Sequence, residues 1–66
     1  MKIIVNGDAC ETAEGSSVAG VVATVTERPA GVAVALNDQV VPRTAWKTTI
    51  VREADRIEVL TAVQGG

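Results

Sequence analysis

The residues able to do chemistry in this chain are few, and the most distinctive lie at its end. Gln64-Gly65-Gly66 closes the sequence. Glycine has no Cβ, so Gly65 and Gly66 can take extended conformations barred to other residues and pass through a channel one backbone wide, with a carboxylate as the last group reached. Terminal glycines are also what a frayed end looks like, and a bare dipeptide is a weak signal. Its weight comes from following directly on a predicted strand and from the poverty of reactive groups elsewhere. Cys10 is the single cysteine and there is no histidine, so the chain can close no internal disulfide, build no zinc site and offer no imidazole base. Cys10 stands in a predicted strand with no basic neighbour to activate it, where a free cysteine serves as a small hydrophobe. Glu53, Asp55 and Glu58 sit beside Arg52 and Arg56 and read as solvated surface. Gly7, Gly15, Gly20 and Gly31 are not spaced like a phosphate-cradling loop. No catalytic residue, metal site or stably bound cofactor is expected.

The chain has 66 residues, enough for one small domain and too few for an enzyme with a cleft between lobes, so any chemistry must be shared with a partner. Twelve Val, four Ile and two Leu make the core aliphatic and mostly β-branched, which favours strands; Trp46 is the lone aromatic. A chain this short buries only about 60% of the surface its unfolded form exposes, so most of those aliphatics must go inside. An exposed apolar cluster is therefore informative. The net charge of −2 and the lack of stacking aromatics argue against nucleic-acid binding. The apolar opening Met1 to Val5 is too short for a signal-peptide core, and no run approaches a membrane span. A cytoplasmic protein without a membrane partner, monomeric when free, is expected.

The elements that position the tail follow from pattern. Lys2 to Asn6 reads as a strand stopping at Asn6-Gly7, a dipeptide suited to a tight hairpin because both residues tolerate positive φ. Ala9 to Thr12 returns, and Ala13 to Ser17 is a run of breakers. From Ser17 as N-cap, Val18, Val21, Val22 and Val25 fall at i, i+3, i+4 and i+7, which predicts a three-turn helix with one apolar face. Its β-branched residues and Gly20 give it poor intrinsic propensity, so packing must hold it. Arg28-Pro29-Ala30-Gly31 ends it. Val32 to Asn37 alternates large and small residues as a strand, Asn37-Asp38-Gln39 turns, and Val40-Val41 returns before Pro42. Trp46 should cover one end of the core, Thr48 to Val51 should be short and extended, and Arg56 to Leu60 should be the last strand. A helix across one face of a mixed sheet of four to five strands, with first and last strands side by side at the centre, is an α+β fold of β-grasp topology. The domain is expected over residues 1–63 and a flexible tail over 64–66.

Alternation also assigns the sheet faces. With Ile3, Val5, Ile57 and Val59 turned to the helix, Ile4, Ala33, Ala35 and Leu60 share the open face. They would form an apolar patch beside the tail, a candidate docking surface. Isolated exposed aliphatics are common, however, and a one-residue slip would reverse the assignment.

Taken along its whole length, the sequence resembles the ThiS family, the ubiquitin-like β-grasp sulfur carriers of thiamine biosynthesis. The resemblance rests on Met1-Lys2-Ile3-Ile4-Val5-Asn6-Gly7, the valine-lined helix, Ala35-Leu36-Asn37 leading to Val40-Val41-Pro42-Arg43 and Trp46, and Asp55-Arg56-Ile57-Glu58-Val59 with Val63-Gln64-Gly65-Gly66. Val-Pro-Arg followed by Trp is the most specific of these marks. Ala54 departs from the pattern, since the family often has Gly before the Asp. The resemblance implies that an adenylating enzyme of the ubiquitin-activating kind, using ATP and Mg²⁺, couples Gly66 to AMP. It also implies that a persulfide donor, a cysteine desulfurase or similar protein, converts Gly66 to a thiocarboxylate for thiazole synthase. Gln64 and Gly65 would thread the partner's channel. The small subunit of molybdopterin synthase is the nearest rival, although it usually approaches its tail through a Phe-Pro-Pro-like segment where this chain has Leu60-Thr61-Ala62-Val63. Carriers for cysteine synthesis or tRNA thiolation share the same tail logic. A ubiquitin-like protein modifier and an interaction domain without tail chemistry are the readings from other classes.

Overall fold

A computed structural model describes residues 1–26 and 31–61. Strand β1 (Lys2–Val5) turns through Asn6 and Gly7, both at positive φ, into β2 (Asp8–Glu11). Helix α1 (Val18–Val25) follows, then β3 (Val32–Leu36), β4 (Gln39–Val41), a 3₁₀ turn over Arg43–Ala45 and β5 (Arg56–Thr61). One five-stranded sheet runs β2-β1-β5-β3-β4. The central pair, β1 and β5, is parallel, and the other three pairings are antiparallel. This is the expected mixed sheet with one helix, a ubiquitin-like β-grasp. No helix among the described residues is long and apolar enough to cross a membrane.

The core lies between α1 and one sheet face. Ile3, Val5, Val34, Ile57 and Val59 meet Val18, Val21 and Val22 of the helix, and Val51 and Trp46 complete the cluster. Because side chains alternate across a strand, this burial fixes the open face as well. Trp46 is only 4% exposed; its indole N–H donates to the Val41 carbonyl at 2.9 Å, and the Arg43 guanidinium lies 5.9 Å from the ring centroid. The segment after the 3₁₀ turn also completes the start of the helix. Val18 N–H donates to Thr49 O, Ala19 N–H to Trp46 O and Gly20 N–H to the Ser17 hydroxyl, so the first-turn donors that a helix leaves orphaned are paired.

Several elements depart from the pattern-based reading. The helix is shorter than three turns: Thr26 is already extended at φ −144°, and Val25 is 41% exposed rather than on the buried face. Residues with poor helix propensity persist as helix only where packing holds them, and the core reaches no farther than Val22. The expected helix end at Arg28-Pro29-Ala30 lies outside the described residues. Thr48 to Val51 is no strand. Thr48 and Thr49 donate backbone N–H and side-chain hydroxyl bonds to Ala45 O, which coils the segment and leaves a single bridge between Ile50 and Ser17. The returning strand begins at Asp8 because a two-residue turn sets Val5 opposite Asp8.

Ala54 takes φ +69° in the turn before β5. The turn is pinned by Ala54 N–H to Lys2 O, Asp55 N–H to Arg52 O and Arg52 N–H to the Asp55 carboxylate. A Cβ in the left-handed region costs about 1–2 kcal/mol, against roughly 0.5–1 kcal/mol of extra unfolded-state entropy for glycine. Ala54→Gly is therefore expected to raise the unfolding free energy by about 0.5–1 kcal/mol, measured by urea melts.

Candidate functional site

The open face of the sheet is ordered into three rows by strand register. Ala9, Ile4 and Arg56 lie across β2, β1 and β5; Glu58, Ala35 and Val40 across β5, β3 and β4; and Leu60 faces Ala33 across β5 and β3. Leu60 is 64% exposed and Val40 78%, high values for large aliphatics in so small a molecule. Ala33 is exposed, while Ile4 and Ala35 are half-buried. The four residues expected on this face are all there. An open hollow of about 460 Å³ runs along β5 beside β1, with Ile4, Asn6 and Leu60 on its walls.

Two residues of this surface escaped the sequence reading. Val40 and Ala9 share the face because two-residue turns dictate their partners. With Asn37 and Asp38 both at positive φ, Leu36 must pair with Gln39 and hence Ala35 with Val40. Recognising Asn37-Asp38 as a two-residue hairpin turn, rather than as part of a three-residue one, would have placed Val40 correctly.

The charges of the face sit on its middle strand. Arg56 bonds the Asp38 carboxylate at 2.8 Å, with both side chains more than half exposed, and such a pair adds little stability. It does tie the β3–β4 turn to the start of β5. Asn37 strengthens that tie: its side-chain oxygen accepts from Arg56 N–H at 2.9 Å and its amide donates to Asp55 at 3.0 Å. Asn6 grips β5 farther along. Its amide donates to Val59 O at 3.3 Å, and Val59 N–H donates to its side-chain oxygen at 2.8 Å.

The remaining candidates are dispersed. Cys10 pairs with Ile3, which puts its side chain on the helix side at the β2 edge, away from the open face. It is exposed, with Sγ 3.7 Å from Asp8 O. Glu53 and Asp55 hold backbone N–H groups of Lys2 and Arg52, a structural use, and only Glu58 looks out from the open face. Among the described residues no cluster of three or more His, Cys, Asp or Glu could hold a metal ion. What this face presents is an apolar surface with a charged centre, suited to contact with another protein. Gln64, Gly65 and Gly66, with the expected boundary at residue 63, lie outside the described residues.

Comparison with known proteins bears on the whole chain. The family model described as the ThiS family matches residues 3–66. The sulfur carrier protein ThiS of Escherichia coli (strain K12) is 36% identical over 66 residues, covering all of both chains. The crystal structure of the thiamine biosynthesis protein (ThiS) of Geobacter metallireducens superposes with a TM-score of 0.82 at 32% identity, again covering all of both chains. An NMR solution structure of a thiamine biosynthesis protein from that organism gives 0.81 at 32% identity, covering all of this chain and 88% of that one. A match that spans the sheet, the helix and the Gly-Gly terminus leaves one assignment: the chain belongs to the ThiS family.

Proposed function

We propose that this chain is a sulfur carrier of thiamine biosynthesis, with Gly66 as the atom-bearing end. The observation that carries the reading is the family match through residue 66, which takes in the terminal glycines as well as the folded body. A full-length relative that bears the name of sulfur carrier supports it. The chain acts as a carrier and as a substrate of its partners, and owns no catalytic group.

The chemistry follows from the weakness of a carboxylate as an acyl donor. Its charge is delocalised and oxide leaves badly, so an adenylating enzyme must first activate it. A Gly66 oxygen attacks the α-phosphorus of Mg²⁺-bound ATP, pyrophosphate leaves, and an acyl adenylate forms. The terminal sulfur of a partner's persulfide then displaces AMP. A thiol cleaves the resulting acyl disulfide, leaving a thiocarboxylate on Gly66 and a disulfide on the partner. That thiocarboxylate is nucleophilic and passes its sulfur to thiazole synthase. Gln64 and Gly65 thread the channel, where a Cβ would narrow the fit. Ile4, Ala33, Ala35 and Leu60, joined by Val40, form the docking face.

Three measurements test this reading. Intact-mass analysis after incubation with an adenylating enzyme, ATP, Mg²⁺ and a persulfide donor should show a product heavier by one oxygen-to-sulfur exchange. The chain lacking Gly66 should show none, and covalent conjugates to lysines would indicate a protein modifier instead. Gly65→Ala should keep its unfolding midpoint yet be adenylated at least tenfold more slowly; normal activation would rule out a narrow channel. Ile4→Asp and Leu60→Asp should each raise the KM for the adenylating enzyme about tenfold, the scale of an interface hot spot. Their unfolding free energy should change by less than about 1 kcal/mol, because neither side chain belongs to the core.

A further inference from the structure

We infer that Asn6 is a positioning residue for the carrier reaction, a clamp that sets the direction in which the C-terminal segment leaves the sheet. This rests on the proposed role of Gly66. Strand β1 ends at Val5, where the chain turns, whereas β5 continues to Thr61. The last backbone link between them is Asn6 N–H to Ile57 O at 2.9 Å. Beyond it, among the described residues, the β1 side of β5 has no strand neighbour. The Asn6 carboxamide takes that place: its oxygen accepts from Val59 N–H at 2.8 Å and its nitrogen donates to Val59 O at 3.3 Å. An amide is the side-chain group that offers a donor and an acceptor side by side, as a backbone peptide does, so Asn6 extends the β1–β5 pairing by one residue pair without a strand to carry it.

The position of this clamp ties it to the tail. Among the described residues, Val59 is the last residue of β5 gripped from the β1 side, seven positions before Gly66. On its other side β5 is held by β3 through the Val32–Thr61 pair. With both sides held, the strand leaves the body along one line. With β3 alone, its end can swing about a single ladder. A tail that must enter a narrow channel then loses more freedom on binding, so the effect falls on association and spares the acyl-transfer step. The positive φ of Asn6, 50°, is part of the device, since the tight turn brings the side chain back over β5.

The test uses the full-length chain, its Asn6→Ala variant and its Asn6→Asp variant. Aspartate keeps the acceptor for Val59 N–H but sets a second carboxylate oxygen against Val59 O. Amide exchange at Val59, taken relative to Ile57 as an internal standard, should quicken at least fivefold in both variants. In Asn6→Asp that protection should return as the pH falls below the carboxylate range, roughly pH 4, where the protonated acid can donate again. Asn6→Ala should show no such recovery. In adenylation assays at neutral pH both variants should raise KM about fivefold with kcat unchanged. A rise in KM without loss of Val59 protection would assign Asn6 to direct partner contact and overturn the clamp. Loss of protection with unchanged KM would reduce it to a local brace and overturn it equally. If the unsubstituted chain is not adenylated, the carrier reading falls and takes the clamp's role in the reaction with it.

Discussion

The parallel pairing of β1 with β5 is the constraint on which the rest of the structure depends. Joining the two ends of the chain at the centre of the sheet forces everything between them outward. The hairpin to β2 occupies one flank, β3 and β4 the other, and the helix must cross a sheet face to connect them. The same pairing turns Ile3, Val5, Ile57 and Val59 inward together, and these four supply most of the sheet's share of the core. Parallel strands linked through fifty residues are costly to bring together. Side chains help to hold them in register: Lys2 N–H donates to Glu53, and Asn6 reaches across to Val59.

Two asparagines do similar work at opposite ends of β5. Asn37 and Asn6 each occupy the first position of a two-residue turn, each at φ near +50°, and each sends its carboxamide back to the backbone of the final strand. In both places a residue chosen for its tolerance of a left-handed backbone supplies hydrogen bonds the sheet lacks. Neither grip contributes an apolar contact, so the open face keeps its aliphatic surface while β5 is held from its flanks. Hydrogen bonding of the last strand from its flanks and exposure of Leu60 are thus compatible.

Much of the fold is legible in the residues themselves. Alternation in Val32 to Leu36 and in Arg56 to Leu60 fixes which side chains meet the helix, and Asn6-Gly7 and Ser17 mark a turn and a cap where the structure has them. What pattern does not reveal depends on contacts distant in sequence. The helix stops at Val25 because its last core residue is Val22, although the valine periodicity carries the apolar face on to Val25. Thr48 and Thr49 look extended from their β-branched character, yet Ala45 O draws both back into a coil. Alanine by itself gives no sign of the left-handed backbone at Ala54; the glycine that the family often has at that place is the one hint. For the open face, hydrophobic alternation finds Ile4, Ala33, Ala35 and Leu60, while Val40 needs the turn geometry and Asn6 needs the spatial neighbour.

The lone indole of Trp46 has a photophysical consequence. It is enclosed by apolar side chains, with its N–H bonded to Val41 and a guanidinium above the ring. Its emission should be blue-shifted in the native molecule. With no tyrosine or second tryptophan to blur it, the chain carries its own optical gauge. The gauge sits at the start of the helix, beside Ala19, Val22, Ala23, Arg43 and Lys47, none of which lines the hollow beside β5. Events at the open face can then be followed by other means while the fluorophore reports independently on whether the body remains intact.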